Sequence, residues 1–371
     1  MQTQVLPYLR EIVKGGIAVD LLTFESETLG RGEELELAAE LEKDGIIWRS
    51  LRYHKRPAIP ATLWDVLAGA IRIIKSRPDV VHARGHVPMA MAIIGSKIAG
   101  VRIIFDIRGL LADEYVDAGN LRAGGAGYRV LKWVERTGMR SADGIVVLTE
   151  RMRDWVKAHG AEAAIEVIPC CVDLSKFPER YGRSGGNDLV YAGSVTGLYL
   201  LEEMGRFFVA WKRLRPDAVF RILTGAPADQ VRSVLAPLGI GAGDLVMERV
   251  SPDDVPGRLA RASAGLSFRK ATFSQIAASP TKIPEYLAAG LPVVSNRGIG
   301  DTDKIIEKGR VGVIIDDLSA GSIERAAEEL AGLISDPGLP ERCRRLALDH
   351  FDLATVGGKR YRDLYSRVLP A

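Results

Sequence analysis

Short apolar runs alternate with longer amphipathic segments along almost the whole chain. In the first half the pattern predicts strands at 18–24, 45–51, 79–83, 101–107, 143–148 and 164–168, with helices at 1–16, 33–44, 61–77, 88–99, 124–141 and 150–159. In the second half it predicts strands at 188–193, 218–224, 244–248, 263–268, 291–296 and 311–316, with helices at 199–214, 227–237, 252–261, 302–308, 321–334, 339–349 and 354–368. Such alternation is typical of parallel sheets with helices on both faces. We therefore predict an α/β fold of two Rossmann-like, doubly wound parallel-sheet domains that face each other across a cleft.

A polar, glycine-rich stretch separates the two alternations. Residues 182–187 read G-R-S-G-G-N, which is the composition of a flexible linker. We predict an N-terminal domain at 1–172, a linker at 173–187 and a C-terminal domain at 188–353, with the last helix, at 354–371, returning to the N-terminal domain. The first domain begins on a helix, so we expect its opening central strand to be missing.

The composition is that of a globular protein, with 47% hydrophobic and 26% charged residues. A formal net charge of +3 gives no support to nucleic-acid binding. Cys170, Cys171 and Cys343 form neither a disulfide framework nor a metal-ligand spacing, which favours a reducing compartment. No apolar run approaches the ~20 residues of a membrane span, and no signal peptide opens the chain. We expect a soluble, cytoplasmic protein with no metal, no cofactor and no nucleic-acid partner.

The segment 279–296 holds the strongest candidate chemistry. Pro280 and Pro284 are tolerated only at the start of a helix, Gly290 ends that helix, and residues 292–295 form a buried strand. Lys282 and Glu285 therefore flank the start of a short helix in an α/β sheet. A cation and free backbone N–H groups favour a phosphate, and Glu285 lies within reach of what the phosphate carries. We predict a nucleotide-diphosphate site here.

Two more loops of the second domain follow strands and carry suitable groups. Gly193 and Ser194 stand at a turn where the backbone can approach a phosphate closely, although an ordinary turn is as good an interpretation. Arg269 and Lys270 end the strand 263–268 and, together with Lys282, can neutralise a diphosphate; the alternative is a pair of solvated loop charges. Asp301 and Asp303 are better explained as caps of the next helix than as ligand contacts.

The first domain carries polar groups just past two neighbouring strands, which predicts a substrate wall. The candidates are Arg84, His86, Arg108, Asp113 and Glu114, whereas His82, inside a strand, is more consistent with a structural role. The helix 124–141 places basic residues at spacings of three and four, namely Arg129, Lys132, Arg136 and Arg140. This stripe is either a footing on an anionic membrane surface or a solvated helix face.

Three segments resemble one known family. Residues 282–294 (K-I-P-E-Y-L-A-A-G-L-P-V-V) are similar to the donor-site signature of the GT-B glycosyltransferases of retaining family 4. Residues 167–173 are similar to that family's I-P-x-G-V-D segment, with Cys171 in place of the glycine, and residues 79–84 to its D-V-V-H-x-H strand, with Arg84 in place of the second histidine. The resemblance covers nearly the whole chain.

The resemblance implies metal-independent transfer of a sugar from a nucleotide-diphosphate-sugar, with retention, to a glycan, lipid-linked or small-molecule acceptor. It implies that Glu285 holds the ribose hydroxyls of the donor and that Gly193, Ser194, Pro280, Thr281 and Lys282 lie against the diphosphate. By the same resemblance Arg249 and Val250 flank the nucleobase. Polysaccharide biosynthesis, peripheral on the inner face of the cell membrane, is the implied setting.

The chain departs from the family pattern at three places. The first of two glutamates that the family often carries is Ala277 here, and Ser194 and Tyr199 occupy positions that are often basic. Arg269, Lys270 or Lys282 must then supply the missing positive charge. The opening strand is the third departure. Two other functions remain open: a sugar-nucleotide 2-epimerase of the same architecture, and a non-catalytic nucleotide-sugar-binding protein.

Overall fold

The computed structural model describes residues 4–25, 30–54, 58–177 and 186–369. Most of the predicted linker, 178–185, lies outside the described residues. The described chain folds into two α/β halves, and nearly every predicted strand and helix is present with its ends shifted by a few residues.

The N-terminal half comprises the elements α1 (Leu6–Val13), β1 (Val19–Glu25), α2 (Arg31–Lys43), β2 (Ile46–Arg52), α3 (Ala58–Ser76), β3 (Val80–Arg84), α4 (His86–Ala99), β4 (Arg102–Asp106), α5 (Leu111–Asp117), α6 (Ala126–Ser141), β5 (Gly144–Val147), α7 (Glu150–Ala158) and β6 (Ala164–Val167). The short helix α5 lies in a segment that the apolar pattern left as a loop. Its seven residues are too few to show a helical period clearly.

The C-terminal half comprises β7 (Leu189–Ala192), α8 (Leu201–Leu214), β8 (Phe220–Leu223), α9 (Ala228–Leu235), β9 (Leu245–Glu248), α10 (Val255–Leu259), β10 (Ala264–Ser267), α11 (Lys282–Ala288), β11 (Val293–Asn296), α12 (Thr302–Gly309), β12 (Gly312–Ile315), α13 (Ala320–Ile334), α14 (Leu339–Phe351) and α15 (Lys359–Val368). A π-helical turn at Leu353–Gly358 leads into α15.

The N-terminal strands form two separate sheets rather than one. β1 pairs with β2, and β3, β4, β5 and β6 form a second sheet in that order, every pairing being parallel. Among the described residues, no ladder joins β1 to β3. The two-stranded sheet has its own small core, which includes Leu41, Ile46 and Trp48. The predicted Rossmann-like fold of this half is confirmed; its parallel strands form two ladders, and α1 packs against the cores of both parts.

The C-terminal strands form one six-stranded parallel sheet, in the order β12, β11, β10, β7, β8, β9. The order changes direction between β10 and β7, and in such sheets ligands bind near the carboxyl ends of the strands at this point. Leu189, Tyr191, Phe220 and Leu266 are fully buried on one face with α8 and α13. Val190, Val293 and Ile283 are buried on the other face with α11 and α14. The sheet is thus covered on both sides.

Tyr286 fixes α11 against the centre of this sheet. Its hydroxyl accepts a hydrogen bond from the backbone N–H of Ala192 in β7 (2.9 Å) and donates one to the carbonyl of Leu266 in β10 (3.2 Å). Its ring lies on Gly265, where a Cβ atom would come within 2.2 Å of ring carbon. Only glycine leaves room for this ring, so α11 approaches the sheet closely.

The C-terminal helix α15 packs against the N-terminal half. Tyr361, Leu364 and Val368 share a buried cluster with Ile104 of β4 and Val146 of β5. The Tyr361 hydroxyl donates to Asp106, and Arg360 donates to the carbonyl of Val167 (2.5 Å). The chain therefore crosses between the halves a second time after α14.

Replacing Tyr286 with phenylalanine should lower the free energy of unfolding by about 1–3 kcal/mol, because the buried N–H of Ala192 loses its acceptor while the ring stays in place. Urea unfolding followed by circular dichroism measures the change. Tyr115→Phe, at a half-exposed tyrosine of α5, is the matched control and should alter stability by less than about 0.5 kcal/mol. Equal effects in the two variants would contradict the proposed role of the Tyr286 hydroxyl.

Candidate functional site

A cavity of about 660 Å³ opens where β7, β8 and β9 end. The loops that follow these strands form its walls, and residues of α11 and the turn before it close one side. Its lining comprises Ala192, Gly193, Ser194, Val195, Thr196, Leu223, Thr224, Gly225, Ala226, Gln230, Arg249, Val250, Pro252, Val255, Thr281 and Glu285. The cavity therefore lies at the carboxyl edge of the sheet, beside the strand-order reversal.

Gly193 shapes the wall nearest to α11. Its φ of 133° belongs to a region that residues with a side chain rarely adopt. The position of a Cβ atom on Gly193 would lie 3.5 Å from the Nζ of Lys282, so the ammonium group lies directly against this backbone. A ligand that touches the Gly193 loop therefore comes close to the Lys282 charge.

Lys282 is buried among aromatic rings, with an exposed fraction of 3%. Its Nζ lies 4.3 Å from the ring centroid of Tyr199 and 5.2 Å from that of Tyr191. Contacts of a cation with ring faces are favourable, but they replace only part of the hydration that the ammonium group loses on burial. Lys282 is thus held in place as a poorly solvated cation.

Arg269 lies on the same tyrosine. Its guanidinium carbon is 4.8 Å from the Tyr199 ring centroid, and its Nη1 donates to the Tyr199 hydroxyl (3.2 Å). Its Nε donates to the buried Gln275 side chain (2.8 Å). Tyr199 therefore contacts both cations. The sequence showed Tyr199 only as a departure at an often basic position, and nothing in it singled out Gln275.

The pKa values of Lys282 and Glu285 converge. Burial and, to a smaller extent, the charge of Arg269 lower the pKa of Lys282, Glu285 opposes both, and the resulting pKa is about 7. Burial raises the pKa of Glu285 to about 7, and Lys282 opposes this. Near neutral pH each group is therefore close to the midpoint of its titration, and an anion beside Lys282 would restore its proton.

The predicted donor-side residues lie largely together. Gly193, Ser194, Arg249, Val250, Thr281 and Glu285 all line the 660 Å³ cavity. Lys282 lies against its Gly193 wall, and Arg269 contacts the Tyr199 ring that Lys282 also contacts. Lys270 is exposed, one residue beyond Arg269. Pro280 lies elsewhere: it lines a second cavity of about 350 Å³ between the two halves, together with Thr149 and His350.

Two of the predicted acceptor-side residues are committed to an internal ion network. Asp106 is fully buried and pairs with Arg84 (2.9 Å) and Arg108 (3.5 Å). Burial alone would raise the pKa of Asp106, but Arg108, Arg84 and the nearby His82 ring, whose Nε2 lies 3.6 Å from Oδ2, together hold it well below its usual range. His82 also pairs with the Tyr365 hydroxyl of α15 (2.8 Å), in agreement with a structural role. Arg84 and Arg108 therefore hold a buried carboxylate of the N-terminal half.

A second buried network engages His86 and Asp113, and it corrects one residue of the basic stripe. His86 pairs with Glu135 (3.3 Å), and Lys132 donates to Glu135 (2.5 Å) and to Asp113 (3.0 Å). Lys132 is buried, so it does not belong to a surface that could meet a membrane. The spacing of α6 did not reveal this, because the helix turns Lys132 inwards to the two carboxylates. Arg129, Arg136 and Arg140 are exposed as predicted.

Glu114 is the predicted acceptor-side residue that faces the donor side. Burial raises the pKa of its carboxyl, and the charge of Arg269, in the other half, acts against that increase. Its carboxylate lies over Gly109, where a Cβ atom would come within 2.2 Å of Oε1. α5, which carries Glu114, contacts the turn at Phe273–Ala277 just after Arg269, so the two residues belong to neighbouring elements of the two halves.

The two halves also contact each other through α7. Asp301 accepts hydrogen bonds from the backbone N–H groups of Glu150 (2.6 Å) and Arg151 (3.4 Å) in its first turn. The expectation that Asp301 caps the helix after it is thus wrong: it caps a helix of the other half instead. Thr149 donates to the carbonyl of Ile276 (2.6 Å), and Ala277 packs into the N-terminal core. Among the described residues, no group of His, Cys, Asp and Glu could hold a metal ion.

Replacing Lys282 with methionine should stabilise the ligand-free protein by on the order of 2 kcal/mol below pH 7, because it removes a desolvated cation. Between pH 7 and about 10.5 the unfolded chain binds the Lys282 proton and the folded protein does not, so wild-type stability rises with pH there and the advantage of the variant shrinks. Unfolding measured at pH 6, 8 and 9.5 tests this. Lys270→Met, at the exposed neighbour, should leave the pH profile unchanged; a constant difference between Lys282→Met and the wild type would contradict the prediction.

Comparison with known proteins finds similarity to one family model over part of the chain and to solved structures over most of it. Residues 1–171 match the family described as "Glycosyl transferase 4-like domain". A search of curated protein sequences finds no match. Among solved structures, sucrose-phosphate synthase of Thermosynechococcus elongatus superposes with a TM-score of 0.68 at 12% identity, over 94% of this chain and 99% of that one.

Two further structures are similar over the same extent. HepE of Anabaena, solved in complex with UDP and glucose, has a TM-score of 0.65 at 15% identity, over 93% of this chain and 99% of that one. WaaG, a glycosyltransferase involved in lipopolysaccharide biosynthesis, has a TM-score of 0.64 at 15% identity, with the same coverage. Residues 1–171 are therefore similar to a glycosyl transferase 4-like domain, and the chain as a whole shares the fold of these three structures.

Proposed function

We propose that the protein transfers a sugar from a nucleoside-diphosphate-sugar to a glycan, lipid-linked or small-molecule acceptor, with retention at the anomeric carbon and without a metal ion. One observation carries the proposal: Lys282 lies against the Gly193 wall of the cavity that Glu285 lines, and it shares the Tyr199 ring with a second cation, Arg269. A diphosphate is the group whose charge these two cations would match.

The proposed donor fills the cavity from base to sugar. Arg249 and Val250 flank the nucleobase, and the carboxylate of Glu285 accepts hydrogen bonds from the ribose hydroxyls. The diphosphate lies against Gly193 and Ser194, near Lys282. The presence of UDP in HepE supports a nucleotide donor of this kind and makes UDP-glucose the first compound to test.

The cations supply what the bond cleavage requires. As the bond between the anomeric carbon and the diphosphate oxygen breaks, negative charge grows on the departing diphosphate. Lys282 and Arg269 lie in a site of low hydration and are fixed before the reaction, so they stabilise this charge without reorganisation. Diphosphate binding also raises the pKa of Lys282 and keeps the group charged. In this proposal the two side chains take the place of a metal ion; no side chain is assigned as nucleophile.

We place the acceptor in the cleft at Glu114. Arg84, Arg108, His86 and Asp113 are paired within the N-terminal half, whereas Glu114 lies on α5, which contacts the turn just after Arg269 in the other half. A carboxylate at this point can accept hydrogen bonds from the hydroxyl groups of a glycan. The similarity to WaaG makes a glycan acceptor in polysaccharide biosynthesis a reasonable first choice.

We further propose a cytoplasmic, peripheral position on the inner face of the cell membrane. The exposed arginines of α6, namely Arg129, Arg136 and Arg140, provide part of the positive charge that such a position needs. Lys132 is not part of this set, because it is buried in the network with Glu135.

UDP-glucose and other nucleotide sugars should raise the melting temperature of the protein, since a ligand at 100 times its dissociation constant adds about 2.7 kcal/mol of stability. Glu285→Gln should weaken donor binding. Arg269→Gln and Lys282→Met should each lower turnover about 10²- to 10³-fold, the usual cost of removing one preorganised charge-stabilising group. Arg232→Gln, an exposed substitution on α9, is the matched control. Unchanged turnover in the Arg269→Gln and Lys282→Met double variant would refute the assigned roles.

Incubation of a radiolabelled donor with and without a glycan acceptor decides between the functions. A transferase labels the acceptor, and the anomeric configuration of the product, read by NMR, tests retention. Conversion of the sugar nucleotide in the absence of acceptor would identify an epimerase, and binding without any conversion would identify a binding protein. Both of these outcomes contradict the proposal.

A further inference from the structure

The outer face of α3 presents apolar side chains where a globular surface is normally polar. Leu63, Trp64, Leu67 and Ile71 recur at helical spacing and are 59%, 66%, 50% and 51% exposed. Together they form a stripe that runs along about two turns of the helix. Single exposed apolar residues need no explanation, but a continuous stripe marks an interaction surface.

The inner face of α3 packs against α4, so the exposed apolar stripe is separate from the residues that form the core contact of this helix. Gly69 lies against Met91 of α4, and Gly95 of α4 lies against Ala70 and Ile73, which brings the two helix backbones close together. On α4, Ile94 and Ile98 are also exposed, 39% and 66%. The pair of helices therefore has a packed seam and an apolar outer surface.

The exposed charged side chains of α3 and α4 are all positive. The only carboxylate on the two helices is Asp65, which is 2% exposed and pairs with His54 (2.7 Å). Lys75 and Lys97 are exposed and Arg72 is half-buried. The accessible surface of this helix pair is thus apolar and cationic, with no accessible carboxylate.

We propose that the α3 face docks on an anionic lipid bilayer, with α3 lying in the interface plane. Leucine, isoleucine and tryptophan side chains would enter the boundary between headgroups and acyl chains, and Lys75 and Lys97 would meet anionic headgroups. Tryptophan is well suited to this depth because its ring is apolar and its N–H is a donor. Among the described residues, no helix is long and apolar enough to cross a membrane.

A bilayer fits this surface better than a second copy of the chain. A twofold dimer through α3 would bring the cations of one copy to a helix pair whose one carboxylate, Asp65, is buried and already paired, so Lys75 and Lys97 would find no partner there. An anionic membrane offers apolar depth and negative charge together. The inference extends the proposed function by naming the surface on which the enzyme works, and it uses a helix different from the arginine-bearing α6.

Sedimentation with lipid vesicles tests the docking face on the full chain. The protein should bind vesicles of phosphatidylcholine with phosphatidylglycerol more tightly than vesicles of phosphatidylcholine alone, and Trp64 should contribute a blue shift of fluorescence that Trp64→Phe removes. Leu63→Ser/Leu67→Ser should weaken binding at least about tenfold, because both side chains leave the apolar phase. Lys75→Gln and Lys97→Gln should each weaken binding to the anionic vesicles about fivefold.

Leu35→Ser/Leu348→Ser is the matched control, since these leucines are 65% and 48% exposed on α2 and α14. It should bind vesicles like the wild type. Absence of vesicle binding, or an equal loss in the control, overturns the proposal. A dimer that light scattering detects and that Leu63→Ser/Leu67→Ser dissociates, without vesicle binding, assigns the face to a second copy instead. The melting-temperature rise with UDP-glucose, measured on the same variants, reports the donor site separately, so that failure of one proposal is distinguishable from failure of the other.

Discussion

The structure of the site depends on the close approach of α11 to the sheet. The Tyr286 hydroxyl joins β7 and β10, and the absence of a side chain at Gly265 leaves room for the ring against the sheet. This contact brings Lys282 to the Gly193 loop and Glu285 to the cavity wall. The loops that follow β7, β8 and β9 are thereby held, together with α11, around the 660 Å³ cavity.

The same close approach explains why the candidate chemistry is electrostatic. Placing Lys282 against the sheet removes most of its water, and the rings of Tyr191 and Tyr199 compensate only in part. The folded protein therefore stores an unfavourable interaction at the site, which an anionic ligand would relieve. Sites in which two ionisable groups have strongly displaced pKa values are frequently functional, and Lys282 and Glu285 are such a pair.

The N-terminal half uses its charges differently. Asp106 and Glu135 are fully buried carboxylates: Arg84 and Arg108 hold Asp106, and Lys132 of the same helix and His86 of α4 hold Glu135. Removing one partner from such a group is costly, so these networks hold β3, β4, α4 and α6 in place. What remains on the surface of α3 and α4 is apolar or cationic. In this half the buried carboxylates are paired with cations inside the protein, and the charges left exposed on α3 and α4 are positive.

The sequence by itself determined the α/β class, the two halves, the position of nearly every strand and the segment that carries Lys282 and Glu285. These features follow from local periodicity and from the turn chemistry of proline and glycine, which act within a few residues. Only the tertiary structure decided which charged side chains are paired inside the protein.

The sequence predicted that Arg84 and Lys132 are accessible, but both pair with carboxylates. The partners come from other elements or, for Lys132 and Glu135, from the same helix. The pairing of Tyr199 with Arg269 and Lys282, the cap that Asp301 provides to α7 and the division of the N-terminal strands into two sheets likewise depend on contacts between residues far apart in the chain, which no local pattern records.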